Sequence, residues 1–176
     1  MARVTPIDER THPELKPVVD EIRGERGGRL LNLYRALLHS PPLATSWLEF
    51  NNAVRYQSAI GDRLRELVIM RVAILNRADY VLNVHKSRYA GPAGVTPAES
   101  AALDDWRSSR HFEPHEKALL EYVDVVTRDV DVPQSVFDAL RAHFSERETV
   151  ELTVLIAAYN MHTRVLRALD IDPEKS

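Results

Sequence analysis

Residues 63–76 read Arg63-Leu64-Arg65-Glu66-Leu67-Val68-Ile69-Met70-Arg71-Val72-Ala73-Ile74-Leu75-Asn76, and this stretch decides the fold. Its apolar residues do not alternate as in a half-buried strand; they fall on nearly every side of a helix. A helix that is apolar all round belongs at the centre of a core or in a subunit interface. A second helix of this kind is predicted over 150–169, through Val154, Leu155, Ile156, Ala157, Ala158, Met161, Val165 and Leu166. Two such helices in 176 residues predict that part of the apolar surface is buried by self-association.

Working outward from 63–76, caps and breakers divide the rest of the chain. Asp62 is placed to cap this helix, and a turn at 76–79 leads into a helix over Tyr80–Tyr89. Gly91-Pro92-Ala93-Gly94 is a turn. Thr96-Pro97-Ala98-Glu99 is a capping box with proline at the first helical position, opening a helix to about Trp106. Pro114 opens a helix to about Arg128, and Pro133 one to about Phe144. Ser145-Glu146-Arg147-Glu148 is a second capping box and opens the final helix. Upstream, Pro13 opens a short helix ending before Gly24, Leu30–Leu38 is an apolar helical run, and Ser40-Pro41 starts a helix to about Gln57. No stretch has the period-two pattern of a strand. The expectation is an all-α chain of about eight helices, forming one domain over residues 1–176.

Composition excludes several function classes. The net charge of −3 lacks the basic footprint that nucleic acid requires. No apolar run reaches the ~18–20 residues of a membrane span, and the opening MARVTPIDERTHPELK has no signal-peptide core. Location in the cytoplasm is expected. With no cysteine there is no thiolate nucleophile, disulfide or cysteine-based metal centre. The glycines form neither a dinucleotide fingerprint nor a P-loop, so no cofactor is expected. His111 and His115 are four apart, but Pro114 lies between them and no third ligand is evident, so no metal is expected either.

Chemistry-bearing residues gather around the central stretch. Glu66 lies inside the apolar helix, where an ionised carboxylate needs a partner. His85 follows nineteen positions later, in Asn76-Arg77-Ala78-Asp79-Tyr80-Val81-Leu82-Asn83-Val84-His85. A hairpin turning at 76–79 would bring the two face to face. His85 then reads as a general acid–base, since imidazole exchanges a proton near neutral pH, or as a satisfied helix histidine. Glu66 reads as a second proton-handling group, as the residue orienting His85, or as an ion-pair partner of Arg65 or Arg71. Arg71 lies about 140° round the helix from Glu66. It either holds a substrate carboxylate or closes a structural salt bridge. Tyr80 is a candidate donor to a substrate oxygen. Asn160, His162 and Arg164 are polar residues in an otherwise apolar helix and line either a cavity or an interface. Trp47 could wall an apolar pocket, or sit in the core with Phe50.

Residues 60–100 resemble the carboxymuconolactone decarboxylase family, which includes the alkylhydroperoxidase D type proteins. Arg65-Glu66-Leu67, Arg71-Val72-Ala73, Asn76, Tyr80, His85 and Gly94-Val95-Thr96-Pro97-Ala98-Glu99 carry the likeness. Ala157-Ala158-Tyr159-Asn160 with Arg164 has the character of the family's closing helix. The redox members place a Cys-x-x-Cys pair where this chain has Ala78 and Val81. Thiol peroxidase chemistry is therefore excluded. Some cysteine-free relatives have Tyr-Glu-Trp-x-x-His there; this chain has Tyr80-Val81-Leu82-Asn83-Val84-His85, without the second carboxylate. The resemblance implies a helical homo-oligomer, trimer or hexamer. It also implies a cofactor-free lyase, decarboxylase or isomerase acting on a small oxygenated or carboxylated molecule, with His85 and Glu66 moving protons. The alternative is a non-catalytic binding or assembly protein on the same scaffold.

Overall fold

The computed structural model describes residues 2–174. Among them are nine α-helices: α1 (Lys16–Glu25), α2 (Asn32–Leu37), α3 (Pro41–Tyr56), α4 (Asp62–Leu75), α5 (Asp79–Arg88), α6 (Pro97–Ala102), α7 (Pro114–Arg128), α8 (Gln134–Arg141) and α9 (Glu146–Ala168). Short 3-10 turns accompany them, and the described residues contain no strand. The all-α expectation holds.

The chain divides into two compact units. One is built from the residues up to Ala53 together with those from Val165 onward. Its core gathers Val19 and Ile22 of α1, Leu30, Tyr34, Leu38, Ala44 and Leu48, with Trp47 packed at the edge. The expected helix from Pro13 begins as a 3-10 turn and becomes regular only at Lys16; it runs through Gly24 to Glu25. Within this unit Arg3 donates its backbone N–H to the Leu169 carbonyl (2.8 Å).

The other unit, residues 54–164, holds α4 at its centre. Eight consecutive residues, Glu66 to Ala73, are buried, so every face of that helix is covered, chiefly by α5 and α7. Leu67 and Met70 pack with Ala90, Val95, Leu103, Trp106, Phe112 and Leu120. The start of α4 differs from expectation. Gly61 takes the cap position, and Asp62 stands inside the first turn, where it accepts from Arg65 Nη2 (2.7 Å). The Thr96/Glu99 capping box is present. At the Ser145/Glu148 box, each residue's backbone N–H donates to the other's side chain. Glu113 and Glu116 form a further box at α7 that the sequence reading did not single out. Helix α8 ends at Arg141 rather than near Phe144.

In α9 only part of the expectation holds. Leu152, Leu155, Ile156, Ala158, Tyr159 and Thr163 are buried. Val150 is 62% exposed, Val154 39% and Met161 38%, so this helix is covered on one side only.

Candidate active site

The α4–α5 hairpin positions the central pair. After Leu75 the backbone reverses through Asn76, Arg77 and Ala78. The Ala78 N–H donates to the Ala73 carbonyl (2.8 Å) and the Arg77 N–H to that of Ile74 (3.0 Å). This is the Schellman arrangement, and it puts Arg77 in the left-handed region at φ 52°. The Asn76 side chain fastens the turn to α9, donating to Asn160 Oδ1 (2.8 Å) and Thr163 Oγ1 (2.9 Å). The hairpin thereby lays α5 back along α4.

His85 and Glu66 meet across it. The His85 Nδ1–H donates to Glu66 Oε2 at 2.5 Å, and both residues are buried, at 5% and 1% exposure. Burial pushes the His85 pKa below its ordinary 6.5, against the pull of the hydrogen bond to Glu66. The ring is therefore neutral at neutral pH. With Nδ1 carrying the proton, Nε2 carries the lone pair. A carboxylate that fixes the tautomer and orientation of an imidazole prepares its far nitrogen to act as a base.

Aromatic rings and cations surround this pair. Tyr89 lies 5.0 Å from the His85 ring, and Tyr159 meets it edge-on at 5.7 Å. Burial raises the pKa of the Tyr159 phenol, which stays protonated. His162 stacks on Tyr159 at 5.5 Å and 19°. Glu66 Oε1 is 3.9 Å from both Arg55 Nη2 and Arg65 Nε. The Arg55 guanidinium lies over the rings of Tyr89 (4.7 Å) and Tyr56 (5.2 Å).

The remaining sequence candidates are placed as follows. Arg71 gives Nε and Nη2 to Asp124 (2.6 and 2.7 Å) and Nη1 to the Leu103 carbonyl (2.7 Å), all buried. Burial works against the Asp124 charge, but the bonds from Arg71 outweigh it and hold its pKa low. Asn160 donates to Thr127 Oγ1 and the Ile156 carbonyl, both at 3.0 Å, and accepts from Arg164 Nη1 at 2.6 Å. Tyr80 is half-buried in the first turn of α5, and Trp47 packs, partly buried, against the core of the first unit. His115 has His143 and Phe144 as ring neighbours, and no cluster of three metal-ligating side chains occurs among the described residues.

Arg55, Tyr89 and Tyr159 were not singled out from the sequence as site residues. Tyr159 carried a signal, since it stands in the family-like block Ala157–Asn160. Arg55 carried none: no spacing rule connects the end of α3 with Glu66 or Tyr89.

Comparison with known proteins bears on this site. The model of the carboxymuconolactone decarboxylase family matches residues 41–125, which include Arg55, Glu66 and His85. Escherichia coli K12 YnjA, an uncharacterized protein, is 32% identical over 129 residues, covering 71% of this chain and 66% of that protein. Bacillus subtilis 168 YdfG, also uncharacterized, is 30% identical over 115 residues, covering 64% of this chain and 78% of that protein. Among solved structures, an AhpD-like Agrobacterium tumefaciens protein of unknown function is 26% identical with a TM-score of 0.74, over 80% of this chain and 97% of that chain. The debrominase Bmp8, as a cysteine-to-alanine variant with 2,3,4-tribromopyrrole, has a TM-score of 0.79 at 23% identity, over 97% of this chain and 91% of that chain. This last likeness is one of fold.

Proposed function

The chain belongs to the carboxymuconolactone decarboxylase family, and we propose that within it this protein is a cofactor-independent acid–base enzyme, a lyase, decarboxylase or isomerase acting on a small oxygenated or carboxylated molecule. One observation carries the reading: the buried His85–Glu66 pair, with its imidazole kept neutral by burial. The Bmp8 complex, in which a structurally similar protein holds a small molecule, supports a small-molecule role in coarse terms.

In this reading His85 Nε2 removes a proton from carbon beside a carbonyl, or takes one from water and delivers it to the enolate left by loss of carbon dioxide. Glu66 orients the ring and stabilises the imidazolium while it holds the proton. Tyr80 and His162 are the proposed polar contacts for the bound molecule. Arg71, Asn160 and Arg164 hold the helices that frame the site. Peroxide reduction through a thiol has no place here, because no cysteine is present.

The test is solvent exchange. Small lactones and keto acids are incubated with the protein in deuterium oxide, and incorporation of deuterium beside the carbonyl is followed by mass spectrometry. His85→Ala and His85→Asn should slow exchange by roughly 10²–10⁴-fold, the usual contribution of a placed acid–base group. Both variants should keep the helical circular dichroism spectrum. Exchange that persists unchanged in them sinks the enzymatic reading in favour of a binding or assembly protein.

We also infer self-association and a cytoplasmic site of action. No helix among the described residues is long and apolar enough to cross a membrane. The exposed apolar side of α9 supports the first of these inferences.

A further inference from the structure

Three arginines in the unit spanning residues 54–164 make different uses of their donors. Arg71 is bonded to Asp124 and the Leu103 carbonyl. Arg63 is bonded to Glu116, Glu99 and the Gly94 carbonyl at 2.6–2.7 Å. Arg55 breaks the pattern. Its side chain is 14% exposed, yet its Nε–H is buried without a hydrogen-bond partner. Its Nη2 is 3.9 Å from Glu66 Oε1, too far for a hydrogen bond. Tyr56 and Tyr89 hold the guanidinium by their ring faces. A ring face attracts the cation but leaves its in-plane N–H donors unused.

Arg65 repeats half of this arrangement. Its Nη2 is bonded to Asp62, while its Nε is buried without a partner and stands 3.9 Å from the same Glu66 Oε1. Arg55 Nη2 and Arg65 Nε thus both stand 3.9 Å from one carboxylate oxygen, too far for direct hydrogen bonds. Among the described residues the Arg55 cation therefore has no direct hydrogen bond to a carboxylate. The other oxygen of the Glu66 carboxylate is bonded to His85. Glu66 thus faces Arg55 with one oxygen and His85 with the other.

We propose that Arg55 is a specificity-determining residue of this site: it receives an anionic oxygen of the bound molecule, best supplied by a carboxylate, and so positions that molecule beside His85. The proposal deepens the acid–base reading and rests on it for the role of His85. A carboxylate matches because its two coplanar oxygens accept from the parallel N–H donors of a guanidinium, and its charge meets that of the cation. Among the described residues Glu66 is the one carboxylate within 4 Å of Arg55, and it is shared with Arg65 and His85. A neutral carbonyl accepts hydrogen bonds but brings no counter-charge.

The experiment uses the full chain and needs no knowledge of the substrate. Acetate and benzoate are titrated against the protein, with acetamide and benzamide as uncharged counterparts, and the His85 ring resonances are followed by NMR. At least one carboxylate should bind saturably and shift those resonances, and its amide should bind at least about tenfold more weakly. Arg55→Gln should abolish that preference. Arg55→Lys, which keeps the charge but not the fork, should restore part of it. Arg110→Gln, an exposed control, should bind like the parent. Should Arg55→Gln fail to fold, the Arg55→Lys titration and the carboxylate-to-amide ratio of the parent still decide. Equal binding of acid and amide, no binding of either acid, or undiminished preference in Arg55→Gln or Arg55→Lys overturns the proposal. Carboxylate binding through Arg55 without His85-dependent deuterium exchange would sink the enzymatic reading alone. Exchange that depends on His85 while carboxylates ignore Arg55 would sink this proposal alone.

Discussion

At the scale of single residues, burial and a carboxylate act on His85 in opposite directions, and burial wins. The imidazole is therefore neutral at neutral pH, and in the proposed reaction it would serve as a base there and into mild acid. The rate of deuterium exchange should fall on the acid side with a midpoint below 6.5, and a pH–rate profile checks this. The same shift affects stability. The unfolded chain takes up this proton near 6.5, the folded protein only at lower pH, so the unfolded state binds more protons in between. Stability present above pH 6.5 should be lost as the pH falls through the lower folded value. Denaturant unfolding at a series of pH values should show this loss in the parent and its reduction in His85→Gln. Arg71 offers a contrasting case. It and Asp124 form a buried, fully bonded pair, with side chains 4% and 2% exposed. Arg71→Met leaves Asp124 with less compensation and should lower unfolding stability by about 3–5 kcal/mol, measured by chemical denaturation.

At the scale of elements, the hairpin of α4 and α5 decides whether the site exists. Its turn holds Arg77 at φ 52°, a conformation that disfavours side chains bearing a Cβ. Arg77 is exposed, so Arg77→Gly should relieve this strain without loss of packing. The expected gain is about 0.5–1 kcal/mol, read as a raised thermal midpoint with unchanged exchange activity. This hairpin was legible in the sequence because its information is local: an all-round apolar helix, a short turn, and a histidine nineteen positions after a glutamate. Capping boxes at Thr96 and Ser145 were legible for the same reason. Asp62 was misread because any acidic residue near a helix start resembles a cap, and only the backbone shows that Gly61 holds that position. The partner of Arg71 lies 53 residues away on α7, and the Tyr89 ring beneath Arg55 comes from a separate stretch of chain. Neither pairing follows a helical period, so neither could be read before the helices were packed.

At the scale of the whole molecule, what remains is the apolar surface that a single chain leaves uncovered. Val150, Val154, Ala157 and Met161 are exposed and spaced by four, three and four residues, which aligns them along one side of α9. The stripe is about 16 Å long at ~1.5 Å per residue. In the other unit, Leu43 (61% exposed) and Phe50 (40%) are spaced by seven along α3. A contiguous exposed apolar stripe marks an interaction surface more often than scattered single residues do. The sequence pattern that made α9 look apolar all round is therefore accounted for if its second side meets another copy of the chain. The parent protein should sediment as an oligomer, and Val154→Asp should shift it toward the monomer. An exposed substitution that touched no interface would change unfolding stability by less than about 0.5 kcal/mol and leave the sedimenting mass alone. A parent that sediments as a monomer at all concentrations, or a Val154→Asp variant with the parent's mass, would remove self-association as the reason for the stripe. The acid–base pair would be unaffected by either result, because Glu66 and His85 complete their hydrogen bond within one chain.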